Sequence, residues 1–217
     1  MEEQERLDKL IDGYKCFLAI VFPGRQDQFH LLADQQAPET LFITCSDSRV
    51  VPDLILQTQP GDLFITRNAG NVVPIDSNDV DGVTATIEYA VEVLKVKHAI
   101  LCGHSDCGAL KAALNPKDLE KLPKARRWLS HVEGAFSHRQ PPDQADGEHA
   151  ELASLIRGNV VAQLLHLRAQ PSVARAVIEG RLTVYGWYYD ILTGHIEQYD
   201  EQARRFLPLW DDEFLAI

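Results

Sequence analysis

The stretch LFITCSDSR at residues 41–49 joins a short apolar run to a polar turn, and this junction is the key to the fold. Similar apolar runs of four or five residues occur at 63–66, 98–102 and 182–186, with helix-like segments between them. Strands without polar alternation that are separated by helices are typical of a parallel sheet buried on both faces. The sequence therefore predicts an α/β fold with a mostly parallel central sheet of about four strands, flanked by helices, plus an edge strand at 196–199.

An amphipathic segment precedes the first of these strands. Apolar residues from Leu7 to Val21 are spaced by threes and fours, which predicts a helix that could pack on its own domain or on a second subunit. A second helix is predicted at 25–36, ending before Pro38. We expect a single domain over residues 1–217, made of an N-terminal helical arm at 1–36, a catalytic α/β core at 37–200 and a C-terminal extension at 201–217.

The amino-acid composition limits which partners the chain can bind and in which cellular compartment it is expected. The net charge of −11 argues against nucleic acid, because binding a phosphate backbone needs clustered Lys and Arg. The longest uninterrupted apolar stretch, Cys16 to Phe22, is too short to span a bilayer, and the acidic start MEEQERLDKL lacks the features of a secretory signal. We therefore expect a cytoplasmic protein with no membrane partner, whose four cysteines are thiols or metal ligands and not disulfides.

Cysteine and histidine residues follow two of the predicted strands. Cys45 ends the first strand, and His104 lies two residues beyond the third, so the carboxyl ends of the strands would bring them to one crevice. His104 and Cys107 are three residues apart at a strand-to-helix junction, where both can face one ion. Two thiolates and an imidazole suit Zn²⁺, whereas Mg²⁺ and Ca²⁺ prefer oxygen ligands. Three protein ligands leave a position for water, so we predict one catalytic zinc ion per chain.

Two charged residues follow Cys45 closely. Asp47 could accept a hydrogen bond from water on the metal, or it could fill the open position and shut the enzyme off. Arg49 offers a bidentate partner that would hold Asp47 off the metal. The alternative is an ordinary surface ion pair, but the adjacent cysteine favours the functional interpretation. Asp106, inside the second cluster, is interpreted as a favourable charge at a helix N-terminus and not as a catalytic residue.

Four motifs together resemble the β-class carbonic anhydrases: CSDSR at 45–49, RNAGN at 67–71, EYAV at 88–91 and GHSDCG at 103–108. The likeness runs from about residue 5 to 210 and is strongest to the bacterial branch often encoded beside cyanate-degrading enzymes. The resemblance implies reversible hydration of carbon dioxide to bicarbonate and a proton by zinc-bound hydroxide. It also implies a homodimer or a dimer-based homotetramer with sites near the subunit boundary.

Functional residues of the family carry over to matching positions. The zinc ligands and the catalytic dyad implied by the resemblance are Cys45, His104 and Cys107, and Asp47 with Arg49. Asp47 would join the ligands only in a closed, low-pH state. The positions that match substrate-binding residues are Gln36, Phe64, Tyr89 and Gly108. Gln36 would hydrogen-bond substrate or product, Phe64 and Tyr89 would form an apolar wall given partly by the neighbouring subunit, and the Gly108 backbone would donate toward a bound anion.

One position departs from the allosteric members of the family. The chain resembles them at Arg67 and Tyr189 but has Phe42 where they carry Trp, three residues before the first cysteine. This departure argues against a regulatory bicarbonate pocket.

Three other functions remain as alternatives. The same scaffold could hydrolyse an analogue of carbon dioxide, such as carbon disulfide or carbonyl sulfide. The chain could be a non-catalytic zinc-binding module used for assembly. Thiol redox chemistry is the third alternative, although the sequence has no CxxC pair.

Overall fold

The computed structural model describes residues 2–75, 81–141 and 150–210. The chain divides into two units, Met1–Ala37 and Pro38–Ile217. The predicted division into arm, core and C-terminal extension stays a prediction, and residues 211–217 of that extension lie outside the described residues.

The first unit is helical. Helix α1 spans Glu2–Cys16 and continues as a π-helical segment, Phe17–Val21, in which the N–H of Phe22 donates to the Phe17 carbonyl at 2.8 Å. A 3₁₀ turn at Pro23–Arg25 leads into α2 at Gln26–Asp34. The rings of Phe17, Phe22 and Phe29 pack against one another with centroids 5.3–6.0 Å apart, and this aromatic contact holds the corner between the helices.

The second unit is built on one six-stranded sheet. In chain order its strands are β1 Thr40–Cys45, β2 Leu63–Asn68, β3 His98–His104, β4 Thr183–Tyr189, β5 Ile196–Asp200 and β6 Arg205–Pro208. Their order across the sheet is β2-β1-β3-β4-β5-β6. The first four are parallel, and β5 and β6 are antiparallel additions, so the predicted parallel sheet with an edge strand is confirmed. The structure adds β6, which the sequence analysis left inside the C-terminal extension because four residues with Arg and Pro at the ends show no strand pattern.

Helices connect the strands and cover the sheet. They are α3 Pro52–Leu56, α4 Gly82–Glu92, α5 Gly108–Leu114, α6 Pro123–Leu129, α7 Glu133–Ser137, α8 Ala150–Ala169 and α9 Pro171–Ile178. Helix α4 begins at Gly82 because the Asp81 carboxylate accepts hydrogen bonds from the N–H groups of Val83 and Thr84 at 2.7 and 3.1 Å. Within the described residues, no helix is both long and apolar enough to cross a bilayer.

Both faces of the sheet are covered. On β1, Leu41 and Ile43 enter one buried cluster while Phe42, which points the other way, enters another. The long helix α8 packs closely against β3 and β4. The close approach requires glycine at position 103, because a Cβ there would lie only 2.7 Å from the Val160 side chain. Because β1 to β4 are paired in parallel, their carboxyl ends lie at one edge of the sheet.

Candidate metal centre

Cys45, His104 and Cys107 come together at the carboxyl ends of β1 and β3. These strands are parallel neighbours, so the last residue of each lies at the same edge of the sheet, and Cys107 follows as the residue that caps α5. The three donor atoms lie within 4.8 Å of one another. The side chains are nearly or fully buried, with exposed fractions of 5%, 0% and 1%. The predicted grouping of these residues is therefore confirmed.

The donors fit a zinc ion. His104 Nδ1 lies 2.9 Å from the Ser105 carbonyl oxygen, and as the donor of that hydrogen bond it would leave Nε2 with a bare lone pair. That Nε2 atom is buried and has no partner among the described residues. The sulfur atoms of Cys45 and Cys107 are 3.9 Å apart, close to the spacing of about 3.8 Å that two Zn–S bonds of about 2.3 Å give at a tetrahedral angle. A metal ion would give the bare Nε2 a partner in this buried site.

The surroundings of Cys45 favour its thiolate. The pKa of Cys45 lies well below its usual value, chiefly because the Cys107 thiol donates to its sulfur, with further help from the N–H of Gly70 at 3.5 Å. The same contact raises the pKa of Cys107, so Cys45 ionises first when no metal is bound. Cys102 is different, since burial alone raises its pKa to about 12 and keeps it a neutral thiol.

Asp47 and Arg49 form a bidentate pair beside these ligands. Arg49 donates from Nε to Oδ1 of Asp47 at 3.0 Å and from Nη2 to Oδ2 at 2.8 Å, and its backbone N–H donates to Oδ1 at 3.0 Å. These bonds hold the pKa of Asp47 well below its usual range. Oδ2 of Asp47 also lies 3.9 Å from Nε2 of His104. The carboxylate is therefore ionised and faces the ligands, which an ordinary surface ion pair would not do.

Asp106 extends this pair in a way that the sequence analysis missed. Arg49 donates from Nη1 to Oδ2 of Asp106 at 3.0 Å and from Nη2 to its carbonyl oxygen at 3.1 Å. The other carboxylate oxygen, Oδ1, pairs with Lys111 on α5. The position of Asp106 among the ligands was the only signal in the sequence, because nothing in the motif shows which way its side chain turns.

Buried polar residues of α8 support the loop that follows β2. Asn159 donates to the Gly70 carbonyl at 3.0 Å, and Oε1 of Gln163 accepts from the Val73 N–H at 2.8 Å. Both side chains are fully buried. Since Gly70 in turn donates to the Cys45 sulfur, these amides fix a group that touches the metal ligands. Nothing in the sequence pattern predicts this role for either residue.

The residues predicted to bind substrate do not all lie at this centre. Phe64 and Tyr89 stack with ring centroids 6.0 Å apart, but Phe64 pairs in register with Leu41, four residues before Cys45. At about 3.3 Å per residue, this places Phe64 roughly 13 Å along the strands from the ligands of its own chain. Gly108 directly follows Cys107, is exposed, and a Cβ there would meet nothing within 4 Å. Gln36 belongs to the first unit and is exposed.

Arg67 and Phe42 have structural contacts. Arg67 donates from Nε to the Cys45 carbonyl at 3.0 Å and from Nη2 to the Asp47 carbonyl at 2.6 Å, so it ties down the turn that carries the dyad. Phe42 is 3% exposed and packs edge-on against Trp187 with centroids 6.2 Å apart. Arg67 therefore uses two of its three guanidinium nitrogens to hold this turn, and Phe42 belongs to a buried cluster.

Comparison with known proteins gives a consistent result. A family model described as carbonic anhydrase matches residues 40–196. Among curated relatives, the carbonic anhydrase of Pseudomonas aeruginosa is 48% identical over 200 residues, covering 92% of this chain and 90% of the relative. Carbonic anhydrase 1 of Escherichia coli O157:H7 is 43% identical over 203 residues, covering 94% and 92%. Among solved structures, the β-carbonic anhydrase CcaA superposes with a TM-score of 0.87 at 35% identity, covering 95% of this chain and 93% of that one.

Proposed function

This chain belongs to the β-carbonic anhydrase family, and from that membership we propose how its residues carry out the reversible hydration of carbon dioxide to bicarbonate. One observation carries the proposal: the buried ligand set of Cys45, His104 and Cys107 has an unpartnered Nε2 atom and a restrained, ionised carboxylate beside it. A structural zinc site is closed by a fourth protein ligand, whereas this set leaves a position free.

Cys45, His104 and Cys107 would hold the ion, and two neighbours would govern the water molecule. When bound, zinc lowers the pKa of a water molecule and so supplies a nucleophile for carbon dioxide. Asp47 is the only carboxylate in the described residues with an oxygen within 4 Å of His104 Nε2, so its role is to accept a hydrogen bond from the nucleophile and orient it. Arg49 holds both oxygens of that carboxylate and so restrains it from joining the metal ligands.

The substrate wall is proposed to come from two copies of the chain. The stacked pair of Phe64 and Tyr89 lies too far along the strands to line its own metal centre, and Tyr89 is 45% exposed. An exposed aromatic surface of this kind suits a neighbouring subunit's site. Crystal structures titled as two tetrameric β-carbonic anhydrases from Sordaria macrospora are similar to this chain, with a TM-score of 0.69 at 34% identity over 91% of it. We therefore propose a homodimer or dimer-based homotetramer, with Gln36 and Gly108 as further substrate contacts.

The redox state of the cysteines indicates the cellular compartment in which the protein can work. All four are unpaired thiols, and two of them, Cys45 and Cys107, must stay reduced to bind the metal. This requirement supports the proposed cytoplasmic location, where thiols are kept reduced.

Stopped-flow measurement of carbon dioxide hydration, on protein of measured zinc content, tests the function directly. We expect a rate that rises in proportion to bound zinc and is lost on chelation. Asp47→Asn should lower the rate, while Asp118→Asn, which changes an exposed aspartate in the Pro116–Leu119 turn, should leave it unchanged.

Each alternative function predicts a different result in the same experiment. A zinc-loaded protein that is inactive on carbon dioxide but active on carbon disulfide or carbonyl sulfide would be a hydrolase of those analogues. An Asp47→Asn variant that matches the parent in every property would indicate a non-catalytic module. Activity that survives complete removal of zinc would point to thiol chemistry.

A further inference from the structure

Asp106 adopts a backbone conformation that is rare for residues other than glycine. Its φ is +58°, in the left-handed region, at the turn between β3 and α5. Aspartate tolerates this region better than most side chains, though at some cost in energy. The conformation places both the carbonyl oxygen and the carboxylate of Asp106 within hydrogen-bonding distance of one guanidinium, that of Arg49. A strained turn that makes two bonds to a single partner indicates a requirement at that partner.

Arg49 is held along two edges of its guanidinium. One edge, Nε and Nη2, donates to Asp47, and the other, Nη1 and Nη2, donates to Asp106. The side chain is 44% exposed, and an exposed ion pair with a single carboxylate is worth only about 0–1 kcal/mol, too little to fix a long flexible side chain. Bonds on two edges change this, because the guanidinium cannot turn away from one carboxylate without also breaking its bonds to the other.

Lys111 fixes the far side of Asp106. Its Nζ pairs with Oδ1, while Oδ2 accepts from Arg49, so each carboxylate oxygen has a cationic partner. These two cations also hold the pKa of Asp106 below its usual range, with Lys111 contributing more than Arg49. The result is a chain of alternating charges that runs from Asp47 through Arg49 and Asp106 to helix α5.

We propose that Asp106 is a positioning residue, which fixes Arg49 and, through it, keeps Asp47 beside the metal ligands without joining them. The inference deepens the proposed function and rests on it for its effect on rate. Without the Asp106 carboxylate, Arg49 can swing toward solvent, and Asp47, whose Oδ2 is 3.9 Å from His104 Nε2, can move into the open position on the metal. Lys111 has a smaller part, since it orients Asp106 and does not touch Arg49.

Three substitutions separate the contributions of Asp106. Asp106→Gly keeps the left-handed backbone and the carbonyl acceptor but removes the carboxylate. In Asp106→Asn, the asparagine can adopt the same left-handed backbone and keeps an oxygen that can accept a hydrogen bond from Arg49. This variant should therefore fold and should restore the position of Arg49. Lys111→Gln removes only the far anchor. The control is Glu179→Gln, which breaks an exposed pair with Arg181 outside the centre.

The first readout is structural. Crystal structures of the zinc-loaded parent and of Asp106→Gly should show Arg49 displaced in the variant and an Asp47 oxygen on the metal. The second readout is the rate of carbon dioxide hydration against pH at equal zinc content. Asp106→Gly should lower kcat about 10-fold, as changes to groups that orient metal-site residues do, with little change in KM, and should narrow the active range from its acidic side. Asp106→Asn should recover most of the rate, and Glu179→Gln should match the parent.

The proposal is overturned if Arg49 is unmoved in the Asp106→Gly structure, or if the pH profile of that variant superposes on the parent's. A fall in rate that Asp106→Asn does not restore, with Arg49 in place, would likewise show that Asp106 acts in some other way. The structural readout needs no activity. If the parent fails to hydrate carbon dioxide while Arg49 still moves in Asp106→Gly, the positioning role survives and the proposed function fails.

Discussion

Oδ2 of Asp47 lies 3.9 Å from Nε2 of His104. Two ligand atoms bound to one tetrahedral zinc, with bonds of about 2.0–2.1 Å, would be about 3.3 Å apart. The carboxylate is therefore about 0.6 Å farther from Nε2 of His104 than a fellow ligand would be. Arg49 holds both carboxylate oxygens, and in the proposed function this restraint is what keeps the site open.

Removal of Arg49 should inactivate the enzyme by freeing Asp47. We expect Arg49→Ala to lower kcat/KM about 100-fold with zinc content unchanged, because the released carboxylate competes for the open position and no longer orients the nucleophile. Stopped-flow hydration assays on protein of measured zinc content check this. Arg181→Ala, which removes an arginine from an exposed pair elsewhere, is the matched control. An Arg49→Ala variant with the parent's activity would show that the dyad is only a surface ion pair.

Zinc removal should destabilise the fold. The ligand side chains are buried, and without the ion one buried imidazole nitrogen loses its partner. We expect a zinc chelator to lower the unfolding temperature by at least about 5 °C, which corresponds to roughly 2 kcal/mol for a chain of this size. Differential scanning fluorimetry with and without added zinc measures the shift.

Cysteine substitutions supply the control for that experiment. Cys45→Ser should abolish the response to zinc, whereas Cys102→Ala should retain one zinc per chain, since Cys102 is a buried neutral thiol that packs with Phe42 and Ile100 and is not one of the three grouped donors. Loss of zinc from Cys102→Ala, or full zinc occupancy in Cys45→Ser, would contradict the assignment of ligands.

The parallel sheet and the ligand set were predictable because each depends on a short local pattern. Apolar runs mark the buried strands, and cysteine or histidine directly after such a run must lie at the carboxyl edge of the sheet. The sequence pattern alone therefore predicts that Cys45 and His104 lie close together. Strand β6 could not be predicted in this way, because its four residues, Arg205–Pro208, are held by pairing with β5 and have no apolar pattern of their own.

The supporting contacts were not predictable, since they depend on backbone turns and on packing between distant segments. Nothing in the letters S-D-C shows that Asp106 has a positive φ and so reaches Arg49. Asn159 and Gln163 are polar residues on a helix that is buried nearly all round, and their partners in the loop at 70–73 are about 90 residues away in the chain. The aromatic pair Phe64 and Tyr89 was recognised by resemblance, but its distance from Cys45 follows only from strand register.

Stability should fall in mild acid because of His166. Burial lowers the pKa of His166 below its ordinary value of 6.5, and its Nδ1 donates to the Val73 carbonyl at 2.9 Å. The folded state therefore holds His166 neutral, while the unfolded chain binds a proton as pH falls past 6.5. The contribution to stability is complete above that pH and is lost as pH falls through the lower, folded pKa.

Urea unfolding between about pH 7.5 and about pH 5.5 measures this effect. We expect the midpoint of the parent to fall more steeply with decreasing pH than that of His166→Asn, in which an amide can donate to the same carbonyl but does not titrate. Parallel pH profiles for the two proteins would show that His166 takes up no proton on unfolding.

Two helical glycines should respond in opposite ways to alanine. A Cβ at Gly158 on α8 would lie 2.6 Å from the Ala135 carbonyl oxygen and 2.9 Å from the backbone N of Arg139, and backbone atoms cannot move aside as a side chain can. A Cβ at Gly13 on α1 would meet nothing within 4 Å. Gly158→Ala should therefore destabilise by about 2–3 kcal/mol through overpacking, while Gly13→Ala should stabilise by up to about 1 kcal/mol through helix propensity. Thermal unfolding of both variants tests this prediction. Equal shifts of the unfolding temperature would mean that the close approach of α7 to α8 at Gly158 does not require glycine.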